Sequence, residues 1–183
     1  MGKKLLVITG SPRKKGNSDL LADALIEGAK CSGCDVTKFY AAKKSIQGCI
    51  ACDSCWSKGH ACSVEDDFRE LEPLLEEADI VAFSSPLYWS SFPAQLKALI
   101  DKLYAYVSEG CRHPLIGKEC VLLMCGECEG MQIFDAAIET YKGLTEYLGW
   151  KSRGIIAVPK VHKKGEIKDT DALHEAKKLG KAL

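Results

Sequence analysis

The stretch Gly10-Ser11-Pro12-Arg13-Lys14-Lys15-Gly16-Asn17-Ser18 decides the fold. Ahead of it runs the continuous apolar segment Leu5-Leu6-Val7-Ile8. Behind it Leu20, Leu21, Ala24, Leu25 and Gly28 recur at helical spacing. The order is strand, tight loop, helix N-terminus. Such a loop aims free backbone N–H groups and the positive end of the helix dipole at one point. Ser11, Asn17 and Ser18 add short side-chain donors, and Arg13 adds a fixed planar cation. The ligand that suits this is a phosphate, in particular a monoester. The spacing matches neither common nucleotide fingerprint, because Gly10 and Gly16 lie six apart with Pro12 and Arg13 between them, and Gly16 is followed by Asn17 and Ser18. The competing reading is structural: glycines that turn the chain, Ser18 as the helix cap, and solvated basic residues.

The 183 residues make one domain's worth, with enough chain for a real core, and residues 1–183 are read as a single domain. Lys plus Arg equal Asp plus Glu at 25 each, so the net charge is zero, which argues against a nucleic-acid binder held by phosphate neutralisation. It argues less strongly against an acidic electron shuttle that docks by charge. No apolar run reaches the length of a membrane span. Met1-Gly2-Lys3-Lys4 leads straight into a strand with no cleavage-site pattern, so a cytoplasmic location is expected.

Along the chain, apolar runs over Lys3–Thr9, Asp79–Ser85, Glu119–Cys125 and Ser152–Val158, and a short alternating stretch over Asp35–Tyr40, read as strands. Helical periods fill Ser18 to Cys31, the stretch after Asp66-Asp67, the stretch opened by Pro93 and running to Val107, the stretch from Ile133 to Leu148, and the end from about Asp169. Pro73 predicts a kink in the second helix or a late start there. Five strands alternating with five helices make an α/β, doubly wound parallel sheet with helices on both faces. In the order 2-1-3-4-5, strands one, three and four are neighbours. The loops after them, Gly10–Ser18, Pro86–Phe92 and Cys125–Gly130, then line one crevice at the topological switch point.

The second of these loops, Ser85-Pro86-Leu87-Tyr88-Trp89-Ser90-Ser91-Phe92-Pro93, is dense in aromatics for a turn. Tyr88 and Trp89 suit a flat ring, with backbone N–H groups at its polar rim; the alternative is that Trp89 and Phe92 pack onto the neighbouring helix. GSPRKKGNS at 10–18, SPLYWSSFPAQLKALIDK at 85–102 and the cysteine loop running into Glu65-Asp66-Asp67 together resemble the NADPH-dependent FMN reductases and, more closely, the iron–sulfur flavoproteins. The resemblance spans residues 3 to about 158. It implies a flavodoxin-like fold, bound FMN, and a homodimer or homotetramer. Carried over by motif, Ser11, Arg13, Gly16, Asn17 and Ser18 hold the FMN phosphate; Pro86, Leu87, Tyr88, Trp89 and Ser90 meet the isoalloxazine; and Gly126 joins them from the third loop.

Ten cysteines are many for a chain expected to stay reduced, and four of them fall within Cys49-x2-Cys52-x2-Cys55-x6-Cys62, inside a loop insertion at about 41–65. Iron–sulfur clusters are held by thiolates at such spacings, and the iron–sulfur flavoproteins carry a similar compact motif, so these four are the candidate ligands of a [4Fe–4S] cluster. Free thiols, a redox-active disulfide, or zinc with His60 substituting for one ligand remain open. Cys31/Cys34 reads as structural; Cys125/Cys128 follows strand four and reads as buried, with a place beside the flavin as the alternative; Lys160-Val161-His162-Lys163-Lys164 reads as a solvated loop, with an acidic partner or a cofactor phosphate as the alternative.

The expectation is a flavin-dependent oxidoreductase whose chemistry resides on FMN, with no catalytic acid or base of its own. The resemblance implies NAD(P)H or reduced ferredoxin as donor. A plain NAD(P)H:FMN or quinone reductase without a cluster, a flavodoxin-like carrier, and a zinc-stabilised binding module are the alternatives.

Overall fold

The computed structural model describes residues 2–183. Five parallel strands form one sheet in the order β2-β1-β3-β4-β5, with β1 Lys4–Thr9, β2 Asp35–Tyr40, β3 Ile80–Pro86, β4 Glu119–Cys125 and β5 Lys151–Val158. The flavodoxin-like order expected from the sequence is therefore the order found. The α-helices are α1 Asn17–Cys31, α2 Phe68–Glu77, α3 Ala94–Lys102, α4 Asp135–Tyr147 and α5 Ala172–Lys181.

Successive strand residues point to opposite faces, and both faces are covered. Leu5, Val7, Ala82, Val121 and Leu123 face α1 and α5, where Leu21, Leu25 and Ala176 are fully buried. Leu6, Ile8, Val81, Phe83 and Leu122 face the other way, onto Leu71, Leu75, Leu96, Leu99 and Tyr141 of α2, α3 and α4. This is why the strands read as unbroken apolar runs rather than alternations. Helices α1 and α5 cross at Gly28 and Gly180. A Cβ on Gly28 would lie 2.0 Å from the Lys177 carbonyl oxygen, and one on Gly180 would lie 2.2 Å from that of Leu25. Only glycine lets the two backbones come this close.

Several boundaries differ from the periodicity. Pro73 lies inside α2, which runs through it from Phe68; the side chain is exposed, so its ring meets solvent rather than the core. The third helical period splits into α3 and a 3-10 turn at Leu103–Tyr106, and the fourth is preceded by a 3-10 turn at Met131–Phe134. The last helix starts at Ala172 rather than near Asp169, because Glu166–Asp169 forms a separate 3-10 turn. Register puts Thr9 beside Ser84, Pro86 beside Cys125 and Cys125 beside Val158, so the loops that follow leave the sheet at one edge. Among the described residues, no helix is long and apolar enough to cross a membrane.

Candidate active site

At that edge lies a crevice of about 340 Å³. Its walls come from four loops: Ser11, Arg13, Gly16, Asn17 and Ser18 after β1; Pro86, Leu87, Tyr88 and Trp89 after β3; Cys125, Gly126 and Glu127 after β4; and Val161, His162 and Lys164 after β5. Three of these loops were expected from the strand order, and the fourth was not. Ser90 is outside the lining.

The first loop is held by its own backbone. Ser11 Oγ accepts from Arg13 N at 3.2 Å, and Gly16 N donates to the Arg13 carbonyl at 3.0 Å. Gly16 is the N-cap of α1 and Ser18 sits within the first turn, so no side chain caps the helix. The first N–H groups of that turn have no acceptor within the helix, and Gly16, Asn17 and Ser18, which carry them, line the crevice. Asn17 does something different from what the motif implied. Its Nδ2 donates to the Lys163 carbonyl at 3.0 Å, and its Oδ1 accepts from Gly165 N at 2.9 Å and Ile167 N at 3.4 Å. Its side chain therefore ties the phosphate loop to the loop after β5. Asp19, almost fully buried, takes Lys15 N at 2.7 Å and Lys38 Nζ at 2.6 Å. Burial alone would lower the Lys38 ammonium, but its bonds to Asp19 and Asp23 outweigh that and hold it above the ordinary lysine value. Lys43 is pushed the other way, by desolvation and by its neighbour Lys14. Lys38 is thus neutralised by its two carboxylates, and the crowded cations beside the loop are Lys14 and Lys43.

The second loop is a two-residue hairpin. Tyr88 and Ser91 exchange both backbone hydrogen bonds at 2.9 Å, and the turn residues Trp89 and Ser90 have φ of 49° and 58°. Both positions demand the left-handed region, where Asn-Gly is usual and a bulky side chain is strained. Phe92 is buried in the core, as the packing alternative had it, whereas Trp89 is fully exposed at 101%.

The third and fourth loops are stitched together. Val161 N bonds Gly126 O at 3.0 Å, Lys160 N bonds Cys128 O at 3.2 Å, and His162 Nδ1 meets Glu127 Oε2 at 2.9 Å. Cys125 is buried beside Ser18, and burial pushes its thiol up to about 12, so it stays protonated and unreactive near neutral pH. Glu127 lies in the expected third loop without having been singled out, and Val161, His162 and Lys164 were set aside because their stretch reads first as solvated loop. The available signal was position: every loop after a parallel strand leaves at the same edge.

The four cysteines of the insertion line a second, small pocket together with Lys102 and Tyr104. Adjacent carboxylates close the loop that carries them. Asp66 accepts from Gln47 N at 2.9 Å and Phe68 N at 3.0 Å, and Asp67 accepts from Ser45 N at 2.7 Å. Trp56, buried at the loop's base, donates Nε1–H to the Ala105 carbonyl at 2.7 Å. Ala51, Asp53 and Trp56 all have positive φ, so the backbone winds tightly between the thiols. Cys62 N donates to the buried Glu72 Oε1 at 3.0 Å. The Cys52 thiol is lowered by the backbone N–H of Ser54 and the Ser63 hydroxyl, while burial raises that of Cys55. All ten cysteines are free, and among the described residues no three His, Cys, Asp or Glu side chains are placed to hold a metal ion. The four thiols surround a pocket without converging on one centre.

The model of the family "NADPH-dependent FMN reductase" matches residues 3–143. The chain belongs to that family. An iron-sulfur flavoprotein of Archaeoglobus fulgidus is 40% identical over 115 residues, 63% of this chain and 50% of that protein. One from Methanosarcina thermophila is 33% identical over 99 residues, 54% and 51% of the two chains. The chain thus spans about half the length of the curated relatives it matches. Among solved structures, a NAD(P)H:quinone oxidoreductase from Methanothermobacter marburgensis superposes with a TM-score of 0.75 at 19% identity, covering 99% of this chain and 96% of that one. An FMN-dependent NADH-azoreductase from Bacillus anthracis in complex with FMN gives 0.73 at 15% identity, covering 98% and 99%. At these identities the structures confirm the fold.

Proposed function

We propose that the protein is an FMN-dependent oxidoreductase that passes electrons between NAD(P)H or ferredoxin and an acceptor. The observation that carries this reading is the single crevice that brings the phosphate loop and the aromatic hairpin together. A flat ring with a phosphate tail fits that pairing. The first turn of α1 and Arg13 would take the phosphate, and Pro86, Leu87, Tyr88 and Gly126 would edge the ring. FMN, when bound, supplies the hydride and electron chemistry. The chain's residues bind, orient and shield; the buried Cys125 thiol presents an uncharged wall.

The same reading places a [4Fe–4S] cluster on Cys49, Cys52, Cys55 and Cys62. The donor set fits: four free thiols round one pocket, on a tightly wound backbone. A cubane offers four separated corners, which suits thiols spread round a wall, whereas one zinc ion needs them gathered tetrahedrally. The cluster, when bound, supplies a one-electron port. The name shared by the archaeal relatives supports this assignment. The homodimer or homotetramer implied by the resemblance is part of the proposal, and sedimentation tests it.

The deciding experiment is anaerobic purification followed by a visible spectrum and assays of iron, sulfide and zinc. Flavin bands near one per chain, bleached by NADPH or by a reduced ferredoxin, are expected. A colourless protein that ignores added FMN overturns the flavin assignment. Iron and sulfide near four per chain are expected for the cluster; a flavin-loaded chain that takes up neither on anaerobic reconstitution leaves a plain NAD(P)H:FMN or quinone reductase.

A further inference from the structure

Lys102, the last residue of α3, is a lysine whose side chain has no exposure to solvent. Its ammonium pairs with Asp66 and lies 5.5 Å from the centre of the Phe68 ring. It also forms part of the wall of the pocket that Cys49, Cys52, Cys55 and Cys62 line. A buried ion pair is seldom retained for stability alone, since well-packed apolar residues of the same volume do as well or better. Nor does closure of the cysteine loop require the lysine, because Asp66 already receives the N–H groups of Gln47 and Phe68. What Lys102 adds is a positive charge at this wall, on the side of the pair that borders the thiols.

Charge at that place has a use. A [4Fe–4S] core held by four thiolates is anionic, and it gains one negative charge with each electron accepted. Cys49 and Cys52 are exposed and Cys55 and Cys62 half-buried, so a charge fixed on the inner wall acts on that change from the less solvated side. We propose that Lys102 is the built-in counter-charge of the cysteine pocket, raising the reduction potential of the iron–sulfur group held there. The inference rests on the cluster reading given above. One electron enters, the cluster is reduced by one, and no bond to Lys102 forms or breaks. Asp66, which is outside the pocket lining, opposes the effect and anchors the ammonium. Lys102 is therefore a positioning residue for charge and not a ligand.

The test compares the full chain with K102M, K102R, D66N and D66N/K102M after anaerobic reconstitution with iron and sulfide. Iron and sulfide are counted first, and the midpoint is then read by a redox titration followed by electron paramagnetic resonance. K102M is expected to lower the midpoint, K102R to hold it near that of the unmodified chain, D66N to raise it, and D66N/K102M to fall below D66N. Unchanged midpoints in loaded K102M and D66N overturn the proposal and leave Lys102 a structural residue. If K102M does not load, D66N decides alone: a raised midpoint supports the proposal, and an unmoved one refutes it. Failure of the unmodified chain to take up iron and sulfide removes the cluster reading itself, and this inference with it.

Discussion

Asn17→Ala separates two roles for a residue that the motif assigns to the phosphate and the structure assigns to a loop. Its side chain makes two hydrogen bonds of ordinary length, 3.0 Å to Lys163 O and 2.9 Å from Gly165 N, and a longer one of 3.4 Å from Ile167 N. Each good bond contributes about 1 kcal/mol net, and truncation also strands a carbonyl and an N–H in a partly buried place, so the loss comes to about 2–4 kcal/mol. In urea the midpoint should fall with an unchanged slope, since the same surface is exposed on unfolding. The freed loop carries Val161, His162 and Lys164 of the crevice wall. FMN and riboflavin should therefore weaken by the same factor. A stability change within about 0.5 kcal/mol, the range of an ordinary surface substitution, together with a selective loss of FMN, would refute this reasoning and return Asn17 to the phosphate.

Arg13→Ala should show the opposite pattern: no loss of stability, and FMN weakened about tenfold or more with riboflavin nearly untouched, from the loss of one charge-assisted bond; equal losses in a titration of both ligands would show that Arg13 does not reach the phosphate. Gly180→Ala puts a methyl 2.2 Å from the Leu25 carbonyl oxygen, and thermal unfolding should report a loss of about 3 kcal/mol as α5 is forced off α1. Replacing Trp89-Ser90 by Asn-Gly at the hairpin tip should raise stability by about 1 kcal/mol, because those residues accept the left-handed region; a lower denaturation midpoint would mean that the tip is not strained. The buried Cys125 thiol is raised from 9.0 to about 12. Below pH 9 both states keep the proton, and between pH 9 and 12 only the folded state does. Stability should thus fall by about 1.4 kcal/mol per pH unit in that window, more steeply than in Cys125→Ala when denaturation midpoints are compared at pH 8.5 and 10.5.

The sheet was legible because buried parallel strands leave a plain trace: four apolar runs and one short alternating stretch, Asp35–Tyr40 at the sheet's edge, with helical periods between them. Their order followed from the phosphate loop and the resemblance. Helix ends were less legible. Leu103 and Tyr104 keep the helical spacing of α3 although the backbone has already tightened into a 3-10 turn, and apolar periodicity does not separate the two over one turn. In the site, Ser11, Arg13, Gly16, Asn17 and Ser18 all line the crevice, but only coordinates reveal that the Asn17 amide is spent on residues about 150 positions away. The wall after β5 was illegible for the same reason: Lys163 and Gly165 look like solvated loop until their tertiary partner is known. The cysteine spacing announced four thiols round one place. It gave no hint of Lys102, whose helical position reads as one more surface lysine.

The paired carboxylates that close the cysteine loop have a consequence for how this fold can change. Ser45 and Gln47 are bonded directly to Asp67 and Asp66, so the excursion between them begins and ends at one point. Inserting residues into such a closed ring costs only a logarithm of its length, about 0.6 kcal/mol for each doubling. Within the gap between Cys55 and Cys62, Trp56 and Ala61 are buried, so the exposed tip at residues 57–59 is the place where chain can be added or removed while β1, β3 and the crevice beyond them stay in register. The exposed part of the cysteine loop can thus be rebuilt without altering the residues that line the crevice.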